Sequence, residues 1–166
     1  FCAGDLVLQY RFSNEVIDLM RQMRIPTISG NHDLSVLSSA GAALRASGSA
    51  SAENLDYLAQ LPQHISCKID GKHIVVMHTS KLDPSNHLPE YEPSDANLNI
   101  DQQADVLIVG HTHWPVISQV GKILLINPGS LGQPRNPDSP SLRTYALLDT
   151  TSWEASIQTF DRPIGM

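Results

Sequence analysis

Asp105-Val106-Leu107-Ile108-Val109-Gly110-His111-Thr112-His113 is the stretch from which the rest of the chain can be read. Four consecutive aliphatic residues are too few for a helix and too uniformly apolar for a half-exposed strand, so the run reads as a short buried strand. It stops at a glycine and delivers two histidines, at the kind of strand exit where α/β proteins keep their sites. Downstream, Val116 to Val120, a Gly121-Lys122 turn, Ile123 to Asn127, Leu142 to Asp149 and Trp153 to Phe160 read as successive strands. Upstream, His64 to Ile69 and Lys72 to His78 flank Asp70-Gly71, a two-residue hairpin signal, and the second run ends on a histidine.

The first third of the chain has a helical period. Ser13 or Asn14 caps a helix whose Val16, Ile17, Met20 and Met23 would form one buried face, ending before Pro26. Ile25 to Ile28 reads as a short buried strand running into a polar, glycine-led loop, Gly30-Asn31-His32-Asp33. Leu34 to Ala52 is rich in Ala, Ser and Gly, and Leu37 and Leu44 allow a helix there; Ser51 caps another carrying Leu55, Leu58 and Leu61, stopped by Pro62. Pro84, Pro89 and Pro93 break up a polar loop through Ser94, a candidate lid or a surface loop. Helix and strand alternate early and strands dominate late. The expectation is an α/β fold with a mixed sheet, or two stacked sheets, and helices outside.

At 166 residues the chain is expected to form one domain over 1–166, able to bury its own core. Its formal net charge is −6 and its basic residues are scattered, which argues against a surface for long nucleic acid. No apolar stretch approaches the roughly 18 residues of a membrane helix. Cys2 and Cys67 have no metal or redox spacing, and a reducing cytoplasm fits them.

Four segments place metal-capable side chains immediately after an expected buried strand: Gly4-Asp5, Gly30-Asn31-His32-Asp33, His78 and Gly110-His111-Thr112-His113. Carboxylate, amide and imidazole donors without thiolate suit Mn, Fe, Zn or similar divalent ions. Together with Asn127-Pro128-Gly129-Ser130 and Gln133-Pro134-Arg135, these segments resemble, in content and order, the calcineurin-like metallophosphoesterases, in particular their small bacterial and archaeal phosphodiesterase branch. The resemblance implies an α-β-β-α sandwich of two mixed sheets and a two-metal centre, with manganese the favoured ion and Fe, Zn, Ni or Mg alternatives. It implies that Asp5 bridges the ions, that Asn31, His78 and His111 complete one ligand set, and that His113 faces the other ion. His32 would be the catalytic histidine at the leaving-group oxygen, its ring oriented by Asp33. Two divalent ions about 3.5 to 4 Å apart can hold a hydroxide for in-line attack at phosphorus and neutralise the phosphate oxygens.

The family's first motif, Asp-x-His, has no counterpart, and Phe1-Cys2-Ala3 is short for a strand. The expectation is therefore an N-terminally incomplete domain lacking a β-α unit, with one metal bound well and a second weakly or not at all. The reading that follows is a metal-dependent phosphohydrolase, a phosphodiesterase before a monoesterase, acting on a small phosphodiester or nucleotide-like substrate. A non-catalytic protein-binding scaffold of the same fold is the alternative from another class. His64, His73 and His87 read as ordinary residues. Arg135 is either a phosphate contact or structural, Trp114 either a pocket wall or a packing residue, and a homo-oligomer stays open.

Overall fold

The computed structural model describes residues 1–7, 13–85, 101–135 and 141–160. The chain divides into two compact units, Phe1–Ile65 and Ser66–Met166. All four α-helices of the described residues lie in the first unit: α1 (Asn14–Gln22), α2 (Asn31–Leu37), α3 (Ala42–Ala46) and α4 (Ala52–Ala59). Ser13 caps α1 by accepting the Val16 N–H, and Ser51 caps α4 by accepting that of Asn54, as their sequences suggest. The core of this unit is built from Val7, Ile17, Val36 and Leu58. On α1 only Ile17 is buried; Val16 and Met23, expected on the same face, are exposed. Their spacing was compatible with burial, but only one turn of this short helix meets the core.

Two further readings change. Ile25 to Ile28 forms no full strand, only a parallel bridge in which Thr27 pairs with Cys2. Gly30-Asn31-His32-Asp33 is not a loop: Gly30 is the N-cap and the next three residues are the first turn of α2. The reason is Asp33 at the third helical position, which accepts the N–H of the cap residue and so satisfies a donor that a helix start otherwise leaves open.

The second unit carries a five-stranded mixed sheet in the order β1-β2-β3-β5-β4. Its strands are β1 (His64–Ile69, which begins just before the unit border), β2 (Lys72–Met77), β3 (Val106–Ile108), β4 (Pro115–Val120) and β5 (Ile123–Pro128). β2, β3 and β5 run parallel, with Val76, Ile108 and Ile126 in register; β4 returns antiparallel on β5 through Gly121-Lys122. The middle of these strands is apolar because both faces are buried there: Val75, Leu107 and Leu125 on one face, Val76, Val106 and Ile126 on the other. A second sheet consists of β6 (Arg143–Leu148) and β7 (Ala155–Phe160). It is purely antiparallel among the described residues, not mixed as expected. Mixed α/β architecture with two sheets is thus what the sequence led to. Of the candidate lid, all beyond Ser85 up to residue 100 lies outside the described residues, and His87 with it.

Because β2, β3 and β5 are parallel neighbours, their carboxyl ends lie side by side. Those ends carry His78, Gly110-His111-Thr112-His113 and Asn127. Gly110 N–H donates to the His78 carbonyl and Val109 N–H to that of Ile126, so the ladder continues to the point where the histidines begin.

Candidate functional site

The seven residues singled out from the sequence are all described, Asp5, Asn31, His32 and Asp33 in the first unit and His78, His111 and His113 in the second.

In the first unit, Gly4 and Asp5 adopt left-handed backbone with φ of 91° and 58°. A buried carboxylate frames this turn. Asp33 Oδ2 accepts the N–H of Asp5 at 2.8 Å and of Gly30 at 2.9 Å, and Oδ1 accepts that of Val7 at 3.2 Å. Asp5 Oδ1 accepts the His32 N–H at 3.0 Å. Gly30 is required for this approach, since a Cβ there would lie 2.1 Å from Asp5 Oδ1. Burial pushes the Asp33 carboxyl up to about 6, with the Asp5 charge adding to the rise and the three N–H donors opposing it. The sequence suggests Asp33 as the group that orients the His32 ring. Here both of its oxygens serve backbone donors, and no hydrogen bond joins it to that ring among the described residues.

In the second unit, His78 is the first residue beyond β2 and is buried. Its ring and that of His111 are centred 5.2 Å apart and cross at 76°. His111 has φ 65° and sits at the centre of a three-residue turn closed by the Thr112 N–H on the Gly110 carbonyl at 2.7 Å. A γ-turn of this hand is rare and strained for a residue with a side chain. His113, also buried, has φ 59°, and its carbonyl accepts the Arg135 N–H. Trp114 is partly exposed beside it and is not part of the buried core. His73 has the ordinary role expected, hydrogen-bonded to Ser66 and the Gln103 carbonyl.

Under this turn lies a polar network that the sequence did not disclose. Asn127, with no exposed surface, reaches the Gly110 carbonyl at 2.9 Å, Thr112 Oγ1 at 3.0 Å and Asp83 Oδ2 at 3.2 Å through Nδ2. Its Oδ1 accepts the Gly129 N–H. Asp83 Oδ1 accepts both the N–H and the hydroxyl of Ser85, and Ser85 Oγ meets Thr112 Oγ1 at 2.8 Å. Asp83-Pro84-Ser85 carries a local signal for the turn, since Asp commonly accepts from the residue two positions on. Nothing local announces that the same carboxylate meets Asn127, 44 residues away.

The donor set fits a divalent ion: imidazole, carboxylate and amide oxygen without sulfur. Imidazole nitrogens about 2.1 Å from an ion put two neighbouring ring centres about 5 Å apart. The separation of His78 and His111 is close to that. Among the described residues, no group of three or more His, Cys, Asp or Glu is gathered so as to hold a metal. No helix of the described residues is long and apolar enough to cross a membrane.

Comparison with known proteins agrees with the fold. An uncharacterized protein of Methanocaldococcus jannaschii is 31% identical over 182 residues, covering 95% of this chain and 73% of its own. The phosphodiesterase YfcE of Escherichia coli is 45% identical over a shorter stretch of 53 residues, 32% of this chain and 27% of that one. Among solved structures, a hypothetical protein from Pyrococcus horikoshii OT3 superposes with a TM-score of 0.70 at 18% identity, covering 97% of this chain and 74% of the other. The calcineurin-like phosphoesterase superfamily domain matches residues 1–152, and the chain belongs to that superfamily.

Proposed function

We propose that the chain is a metal-dependent phosphohydrolase acting on a small phosphodiester. One observation carries the reading. Of the six non-glycine residues with positive φ among those described, three are candidate ligands: Asp5, His111 and His113. Left-handed backbone at such residues costs of order 1–3 kcal/mol each and persists where surrounding bonds over-determine it, most often at functional sites. Both turns are over-determined in this way, by Asp33 in one unit and by Asn127 in the other.

In this reading Asp5 and Asn31 of the first unit, and His78, His111 and His113 of the second, are the protein's metal donors. The ions, manganese by preference, would supply Lewis acidity and the positive charge that a chain of net charge −6 lacks. Asp5 is held with Oδ1 against the His32 amide, which fixes its carboxylate before any ligand arrives. His32 places an imidazole at the second position of α2, as the group that would deliver a proton to the leaving-group oxygen. The preference for a diester is supported by the name of the YfcE relative.

The test is hydrolysis of a chromogenic diester and the matching monoester with Mn, Fe, Zn, Ni or Mg. Turnover of the diester is expected, with a loss of about 10²- to 10⁴-fold in His32→Ala and metal binding retained. Preference for the monoester would overturn the substrate class. Absence of turnover with every ion would sink the hydrolase and favour a binding scaffold.

A further inference from the structure

We propose that Asp83 is a positioning residue for the His111–His113 turn, acting through Ser85, Thr112 and Asn127 to set the site's affinity for a divalent ion. The inference rests on reading those histidines as metal ligands. It begins with the direction of the hydrogen bonds. A carboxylate only accepts. The Ser85 hydroxyl therefore spends its single hydrogen on Asp83 Oδ1, 2.7 Å away, and towards Thr112 it can only accept. The Thr112 hydroxyl must then donate to Ser85, which leaves its lone pairs for Asn127 Nδ2 at 3.0 Å and the Trp114 N–H at 3.3 Å. One carboxylate thus orders every proton from the Asp83 turn to the residue between the two histidines.

The second arm runs through Asn127. Its two amide hydrogens serve three acceptors, Asp83 Oδ2, Thr112 Oγ1 and the Gly110 carbonyl. The Gly110 carbonyl also closes the turn centred on His111. Both flanks of that residue are tied back to Asp83, the preceding carbonyl through Asn127 and the following side chain through Ser85. All four network residues are buried, where an unmatched polar atom is costly, so the arrangement has few alternatives. A strained turn held by such a lattice keeps its imidazoles in place, whereas one released from it relaxes towards ordinary φ and carries them away.

Asp83→Asn keeps size and shape but replaces one acceptor by a donor, which would face either the Ser85 donors or the Asn127 amide. Thr112→Val removes the far end of the same network. The experiment is titration of the full chain with cobalt(II) alone, followed by its visible absorption. Both variants are expected to bind about ten- to a hundred-fold more weakly and to show altered band intensity. Val75→Ala, a core truncation in the same sheet, should lower the melting temperature and leave the cobalt spectrum as in the parent. Parental affinity and spectrum in Thr112→Val, or in a folded Asp83→Asn, would overturn the proposal. So would Val75→Ala reproducing their spectral change. Unaltered cobalt binding in both His111→Ala and His113→Ala would instead overturn the ligand reading, a separate result seen without touching Asp83.

Discussion

Asp33 is a carboxylate with three backbone N–H partners, an arrangement that by itself favours the charged form. Its complete burial works the other way and prevails, with the Asp5 charge adding to it. An unfolded chain releases this proton near pH 3.8, the folded one near about 6, so between the two values the native state holds a proton that the unfolded state has lost. Stability from this residue is therefore greatest below about pH 4 and declines as pH rises through about 6, by at most about 3 kcal/mol. In chelator-treated protein the carboxyl carbon resonance of Asp33 should titrate with a midpoint near the higher value. A midpoint at or below that of a free aspartate would mean that the N–H donors outweigh burial. The sequence pointed to this residue but to a different task. It could show Asp33 beside His32; it could not show that the carboxylate faces the backbone of residues 5 to 7, which only the folded path of the first unit brings to it.

Where an element is specified by its own neighbours, the sequence was legible. Asp70 and Gly71, with φ of 46° and 82°, turn β1 into β2 as a two-residue hairpin, and Asp-Gly is the pair that such a turn selects. No atom lies within 4 Å of a Cβ built on Gly71, so replacement by Ala tests backbone conformation alone. Gly71→Ala should cost about 1 kcal/mol in urea unfolding, while Gly132→Ala, equally unobstructed and free of a left-handed φ, should be nearly neutral. Equal effects at the two positions would mean that the turn does not hold this conformation. The caps Ser13 and Ser51 and the apolar run of β3 were legible for the same local reason. The helical start at Gly30 was not, because a glycine before polar residues reads as a loop until the Asp33 side chain is seen bonding back to the cap. Val16 and Met23 show the converse, a periodicity that matches a buried face on a helix too short to bury it. The Asp83–Asn127 contact lay beyond reach for another reason: each residue has a satisfactory local explanation as a turn former, and only the parallel order of β2, β3 and β5 brings them together.

At the scale of the molecule, two units each carry a core of their own, Val7, Ile17, Val36 and Leu58 in one and Val75, Leu107, Val109 and Leu125 among others in the second. The candidate ligands lie outside those cores, in turns, at a helix start and at a strand exit, so stability and metal affinity are separable quantities and can be compared in one experiment. A ligand that binds the folded chain and not the unfolded one adds RT ln(1 + [L]/Kd), about 2.7 kcal/mol at a hundred times Kd. For a chain of 166 residues that corresponds to a rise of about 5 to 10 °C in melting temperature. Manganese should produce such a rise in scanning calorimetry, excess chelator should reverse it, and His111→Ala should abolish most of it while leaving the metal-free melting temperature within a few degrees of the parent. The last condition separates a ligand from a structural residue: Ala keeps the Cβ and with it the same left-handed φ, and removing the imidazole empties no core position, so the apoprotein has little to lose. A large fall in the metal-free melting temperature of that variant, with the manganese increment intact, would assign His111 to the fold and move the metal site elsewhere.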